Sequence, residues 1–340
     1  MPNIRSTGLA LLAAALALAP SAAAQVRLNG YFSVDYLQGG SDGPWAKGTA
    51  EKAQAGLILA GEWSPQFGYT LELRTRENRT FEIEQAWAGW TWSNEFRVKA
   101  GVFLVPFGKY NESDRPFQTL LVEAPTIYAE SHPPNWREVG LEVEGSLLGF
   151  RYAAYIGNGL AESESLRAGQ QFADNNKNKG WGGRLSTSLG QAFEAGVSYY
   201  RGKADAENAR ALTLLGADLG WSTENIHCLA EYTRADIDNP PDFSRGRAEG
   251  WFVLLGLNFS PIEPVLSYQT SKISDPFHGL GWTGTTGPGA GLDGDHNRWT
   301  VGLNYSLHTN ILLKLEYDIL KDKKAASTDK VLRVQAAVHF

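Results

Sequence analysis

From Val26 onward the chain repeatedly sets apolar residues at every second position. Val26, Leu28, Gly30, Phe32, Val34 and Tyr36 alternate with Arg27, Asn29, Tyr31, Ser33 and Asp35. Side chains of a strand alternate faces, so this is a strand with one greasy side and one wet side. A second strand is expected at about Ala53 to Trp63. In the third, Phe67, Tyr69, Leu71, Leu73 and Thr75 oppose Thr70, Glu72, Arg74 and Arg76. The stretch Phe81 to Trp92 is expected to carry Phe81, Ile83 and Trp87 on one side and Glu82 and Glu84 on the other. In the next, Phe96, Val98, Ala100, Val102 and Leu104 oppose Arg97, Lys99 and Phe103. At the far end Leu332, Val334, Ala336, Val338 and Phe340 share a face, with Arg333, Gln335, Ala337 and His339 opposite.

Between Val143 and Val334 the rhythm recurs, with strands centred near Tyr152, Leu185, Val197, Leu215, Ala230, Val253, Tyr268, Val301 and Leu315. Short turns are expected at Ser64–Gln66, Ser93–Glu95, Leu147–Gly149, Gly190–Gln191, Ser222–Glu224, Ser260–Pro264 and His308–Asn310. Longer polar connections fall between them, at about 37–52, 105–137, 158–179, 202–209, 236–248, 274–297 and 321–330, with a tight one near Glu77–Arg79. The pattern predicts about sixteen antiparallel strands, with short turns at one end and long loops at the other.

No stretch after residue 24 is apolar enough for a membrane helix. An alternating strand set with no apolar run can span lipid in one way, as a closed barrel without open edges. The first 24 residues fit an export leader. Arg5 supplies a positive start, Leu9 to Ala19 an apolar stretch, and Ala22-Ala23-Ala24 a cleavage pattern, which predicts a mature chain from Gln25 to Phe340 forming a single barrel domain. Losing residues 1–24 removes Arg5 and no acid, so the net charge goes from −6 to −7. An acidic balance argues against nucleic acid as a partner. The single cysteine, Cys228, excludes an intrachain disulfide framework.

Sixteen or so strands enclose a bore too wide for side chains to fill. The polar faces place Arg74, Arg76, Arg97, Lys99, Arg151, Arg184, Lys314 and Arg333 inward with Glu72, Glu82, Glu84, Glu142, Glu144, Glu316 and Asp318. Those charges are expected both to set up a transverse field that sorts solutes and to pair across strands, Arg74 and Arg76 with Glu82 and Glu84. The segment Val105 to Arg137 breaks the alternation yet carries Phe107, Tyr110, Phe117, Leu120, Leu121, Ile127, Tyr128 and Trp136, so it has something to pack with. It is expected to fold into the lumen as a constriction, bringing Lys109, Arg115 and Arg137 with it; a lid or a subunit contact is the alternative. Trp63, Phe67, Trp92, Phe96, Phe193, Trp221, Phe259 and Phe340 flank the short turns or the terminus, as an interfacial girdle would. The candidate bore and constriction residues are Arg74, Arg76, Glu82, Glu84, Arg97, Lys99, Lys109, Arg115, Arg137, Glu142, Glu144 and Arg333.

The last strand, ending on Phe340, resembles the closing strand of bacterial outer-membrane barrels. That resemblance implies pairing with the first strand and recognition of Phe340 by the barrel-assembly machinery. The run from Val98 to Gly108, ending in Pro106-Phe107-Gly108, resembles the signature of the phosphate-selective (O/P-type) porin family of Gram-negative bacteria. Trp136-Arg137-Glu138-Val139-Gly140-Leu141 and Tyr155-Ile156-Gly157-Asn158-Gly159 are similar to two further features of that family. The likeness covers mainly residues 80–190. It implies an all-β, transmembrane, up-and-down antiparallel barrel of about sixteen strands with an inward third loop. It also implies passive diffusion of ions and small polar solutes, a homotrimer, and an outer-membrane setting among lipid and lipopolysaccharide. Phosphate specificity needs a dense basic lining, which a mixed lining at net charge −7 does not supply.

Two other classes compete. A surface-binding or structural barrel could use loops such as 274–297. Within that loop, Asp293-Gly294-Asp295-His296-Asn297 alternates oxygen ligands like the front of a calcium loop, but it lacks the remaining ligands and reads as a solvated turn. A hydrolase finds no G-x-S-x-G, H-E-x-x-H or P-loop motif, and no cofactor or metal site is expected.

Overall fold

The computed structural model describes residues 25–41, 45–76, 80–279, 281–283 and 294–340. The expected leader, residues 1–24, and the tight turn at 77–79 lie outside them, as does the side chain of Arg76. The strands are β1 (Gln25–Gly39), β2 (Thr49–Ser64), β3 (Phe67–Arg76), β4 (Thr80–Ser93), β5 (Phe96–Leu104), β6 (Arg137–Leu147), β7 (Phe150–Gly157), β8 (Gly180–Leu189) and β9 (Phe193–Lys203). They continue as β10 (Ala211–Ser222), β11 (Ile226–Ile237), β12 (Gly246–Leu257), β13 (Ile262–Asp275), β14 (His278–Gly279), β15 (Trp282–Thr283), β16 (Asp295–His308), β17 (Ile311–Asp322) and β18 (Ser327–His339). Sixteen of these form one closed antiparallel barrel; β14 and β15 pair separately as a small two-stranded sheet.

Closure is made by β1 and β18, in register from Tyr31 opposite His339 to Gly39 opposite Val331. Phe340 extends the seam: its amide and carbonyl both bond to Gly30, at 2.9 and 3.0 Å. The faces follow the alternation. Val334, Ala336 and Phe340 are exposed on the outer wall, while Arg333, Gln335 and Ala337 are buried in the lumen. The girdle aromatics pack along the short-turn end, with Trp63 on Phe67 at 5.4 Å, Phe67 near Trp90 and Trp92 against Phe96 at 5.2 Å. A barrel with no ladder edge leaves no backbone group unpaired toward lipid, which is what membrane burial demands.

Two expectations are corrected. Trp87 does not share the outer face of Phe81 and Ile83. The pairing of β3 with β4 slips between Glu72–Gln85 and Leu73–Ile83, a bulge that adds one residue and flips every later side chain. Trp87 therefore enters the lumen, where Arg97 and Lys99 lie over its ring at 4.8 and 5.2 Å. The long connection expected at 321–330 is instead a tight turn, because β17 and β18 pair out to Asp322 opposite Ser327. The Asp322 carboxylate holds that turn by accepting from the Lys324 and Ala325 amides. Beyond the membrane no face has to be apolar, so these strand ends do not alternate.

Residues 105–136 fold inward and fill much of the bore. Two apolar clusters hold them. One joins Phe107 and Trp136 of the loop to Tyr155, Tyr200, Leu212, Ile237 and Trp282 at the long-loop end. The other joins Tyr110, Leu121, Ile127 and Tyr128 to Phe252, Leu254 and Val265. Among the described residues no helix is long and apolar enough to cross a membrane, which says nothing against crossing by strands.

Candidate functional site

The inward loop is built from its first turn. Gly108 adopts φ +67°, and a Cβ there would lie 2.6 Å from the Glu231 carboxylate, so only glycine fits without strain. That turn aims the amides of Lys109 and Tyr110 at Glu231 Oε1, at 2.7 and 2.6 Å, and the Tyr128 hydroxyl donates to the other oxygen. Phe107 enters the apolar cluster, 5.6 Å from Trp136. The Pro106-Phe107-Gly108 run is thus the hinge of the loop. On the opposite wall the loop backbone is bonded directly. Val122 donates to Glu316 at 2.6 Å, Lys314 donates to the Leu121 carbonyl, and Asn304 and Arg298 donate to the carbonyls of Leu120 and Ala124.

The other two sequence features meet each other. Glu138 accepts from the Gly159 amide at 3.0 Å and from the Val139 amide at 3.1 Å. Gly157 leaves room for it, since a Cβ there would overlap the Glu138 side chain.

Below the loop, at the short-turn end, lies a cavity of about 390 Å³ whose lining includes Arg97, Glu112, Glu144, Arg151 and Arg184. Each wall cation is held sideways by an acid. Arg97 meets Glu144 at 3.1 Å, and Lys99 meets Glu144 at 2.7 Å and Glu142 at 3.3 Å. Arg151 meets Glu194 at 2.6 Å and Arg184 meets Asp218 at 2.5 Å. Lys109 joins this group through Glu194 at 2.7 Å. Glu112 reaches in from the loop, is exposed, and forms no hydrogen bond or ion pair among the described residues. One unpaired acid on the loop therefore faces a wall of paired bases.

Above the cavity the crevice between loop and wall narrows. Its lining includes Glu72, Arg74, Glu84, Glu112, Asp114 and Arg115. Arg115 of the loop grips Glu72 of β3 with both Nε and Nη2, at 2.9 and 2.6 Å. Such paired, parallel N–H bonds are the strongest form of ion pair. Arg74 meets Glu84 at 3.5 Å, and Arg137 bridges Glu84 at 3.1 Å and Glu82 at 3.2 Å. Of this column Glu82 is the most open, its side chain 40% exposed at the long-loop end.

Of the residues selected from the sequence, the structure brings Arg97, Lys99, Glu142 and Glu144 together beside the cavity, and Arg74, Glu82, Glu84, Arg115 and Arg137 along the crevice. The Arg76 side chain lies outside the described residues. Arg333 belongs elsewhere: it sits on the opposite wall, paired with Asp318 at 2.7 Å and with Glu123 of the loop at 3.0 Å. Glu194, Asp218 and Glu231 escaped sequence reasoning. Alternation places Glu194 on the face of Ser198 and Tyr200, but nothing local marks it as a partner for cations on β7 and β8. The acidic loop at 293–297 lies partly outside the described residues; within them Asp295 pairs with Lys323 and His296 bridges Glu130 and Asp322.

Residues 9–325 match the family model described as Gram-negative porin. The chain belongs to the Gram-negative porin family. The porin reading of the Val98–Gly108 run is borne out at that level, and the protein is an outer-membrane channel of that class. The barrel is similar to solved porins. An anion-selective porin from Comamonas acidovorans aligns with a TM-score of 0.69 at 13% identity, over 94% of this chain and 100% of that one. Salmonella typhi OmpF in complex with daunomycin aligns with a TM-score of 0.66 at 14% identity, over 93% and 97%. The trimer form of Vibrio cholerae OmpT aligns with a TM-score of 0.63 at 10% identity, over 94% and 100%. At such identities these likenesses speak for the fold alone. An uncharacterized protein of Aquifex aeolicus (strain VF5) is 26% identical over 157 residues, 43% of this chain. The chain covers 36% of that relative's length.

Proposed function

We propose that this porin conducts small hydrophilic solutes passively, without a cofactor, through the crevice between its inward loop and the β3–β8 wall. The observation that carries this reading is the unpaired Glu112 carboxylate facing Arg97, Arg151 and Arg184 across a cavity of about 390 Å³. Charges fixed on opposite sides of a narrow aqueous path impose a field that small ions and dipoles must negotiate. Because each described cation lining the cavity is paired and Glu112 is not, the preference is weakly for cations. Each of these guanidiniums is already charge-balanced by a neighbouring acid, so phosphate is not a blocker. The bore residues selected from the sequence act here as wall charges, except Arg333, which anchors the loop.

A homotrimer, cleavage before Gln25, assembly through Phe340 and contacts with lipopolysaccharide complete the proposal, supported by family membership and by the paired β1–β18 seam. The experiment is single-channel recording of the purified full chain in a planar bilayer under a KCl gradient, followed by added phosphate. Ohmic steps in groups of three, a small cation-directed reversal potential and no phosphate block are expected. A silent bilayer with folded, inserted protein would discard the channel reading in favour of a binding or structural barrel.

A further inference from the structure

The passage proposed above is narrowed by an ion pair that spans it. Arg115 and Glu72 cross its narrow part from loop to wall. Glu72 has no solvent exposure and is further held by the Gln85 side-chain amide at 2.9 Å. Immediately above, Arg74 and Arg137 share Glu84. The crevice and the inner cavity meet at Glu112, which lines both. On the opposite wall the loop backbone is bonded to Glu316, Lys314, Asn304 and Arg298, and between the two walls lie the apolar clusters. Among the described residues, the alternating column of ion pairs is a polar route from the inner cavity toward Glu82 at the outer end; the opposite wall carries a second charged column, in which Arg333 meets Asp318 and Glu123 and Glu123 meets Lys52.

A solute on that route has to part Arg115 from Glu72. Separating a buried ion pair leaves two uncompensated charges, a large penalty. A lone anion compensates Arg115 and leaves Glu72 bare; a lone cation does the reverse. A molecule carrying a carboxylate and an ammonium group a few bonds apart compensates both at once, and can then meet the Arg74–Glu84 pair in the same way.

We propose that the Arg115–Glu72 pair is the specificity-determining element of this porin and that it favours small zwitterions of the α-amino-acid class over neutral molecules of the same size. This rests on the crevice being the solute path. Selectivity arises because the neutral competitor offers only dipoles to charges that need counter-charges.

The test uses the full chain reconstituted in liposomes and two isomers, alanine and lactamide, one a zwitterion and the other neutral. Swelling rates are read after subtracting protein-free liposomes. Alanine is expected to enter several-fold faster than lactamide, and the ratio to fall to near one in the E72Q/R115Q double variant, which removes both charges together. Equal entry of the two isomers through the unaltered protein would overturn the proposal while leaving the channel intact, and needs no variant to fold. A ratio that survives in a folded E72Q/R115Q barrel would overturn it as well, by placing the preference elsewhere. Entry of neither isomer would overturn the solute path itself, and this inference with it.

Discussion

The Tyr110 amide lies 2.6 Å from Glu231 Oε1, although 121 positions of chain separate the two residues. A carboxylate on β11 thereby fixes the first turn of a loop that leaves β5. Replacing Glu231 with alanine strands the amides of Lys109 and Tyr110 and the Tyr128 hydroxyl in an apolar setting. Each unsatisfied buried donor costs about 1–3 kcal/mol, felt locally rather than by the strand ladder. Amide hydrogen exchange should accelerate strongly across residues 105–136 in E231A and hardly at all in β16 to β18. Unchanged protection of the loop would mean that the apolar clusters hold it unaided.

Charge preference should follow Glu112. The E112K variant replaces the unpaired acid with a base, and its reversal potential in a KCl gradient should move toward anions. The R97E/K99E variant sets two new acids beside Glu142 and Glu144 and should move it toward cations. Like charges that close also disfavour one another, so this variant should fold less readily. An unmoved reversal potential in both would remove the cavity wall from the path.

Acid should loosen the loop through His132. Its imidazole is buried between the rings of Phe107 and Tyr128, 5.4 and 4.4 Å away, with Nδ1 2.9 Å from the Pro133 carbonyl. Burial drives it down from 6.5 to about 4, against a small upward pull from that carbonyl. A histidine depressed in the packed state stabilises that state fully above its free value of 6.5 and loses the contribution as pH falls from there toward 4. Conductance noise or proteolysis of the loop should rise over that window and be suppressed in H132F, which keeps an aromatic ring and removes the titration. Identical pH profiles for the two proteins would dismiss the histidine.

Deleting Phe340 removes both backbone hydrogen bonds to Gly30 and the ring that occupies the space above it. The seam between β1 and β18 then lacks its last rung. The fraction of protein reaching the compact, heat-modifiable form in detergent should drop, and a normal yield would show the remaining rungs to be sufficient.

The barrel itself was legible along the chain, because lipid outside and water inside impose a two-residue period on every spanning strand. That period located the strands, their lumen faces and most of the short turns, and the apolar content of residues 105–136 pointed inward. It failed at Trp87, where one bulged residue at Glu84–Gln85 inverted the faces, and at 321–330, where strands project beyond the membrane and no longer need to alternate. Pro106-Phe107-Gly108 stood out in the sequence, but its work as a hinge depends on Glu231, which is remote in the chain. Pairings such as Arg115 with Glu72, Arg184 with Asp218 and Arg333 with Asp318 were decided by tertiary structure alone. Alternation says only that a side chain faces the lumen. Which opposite charge it meets is set by barrel closure and by the path of a loop that obeys no period.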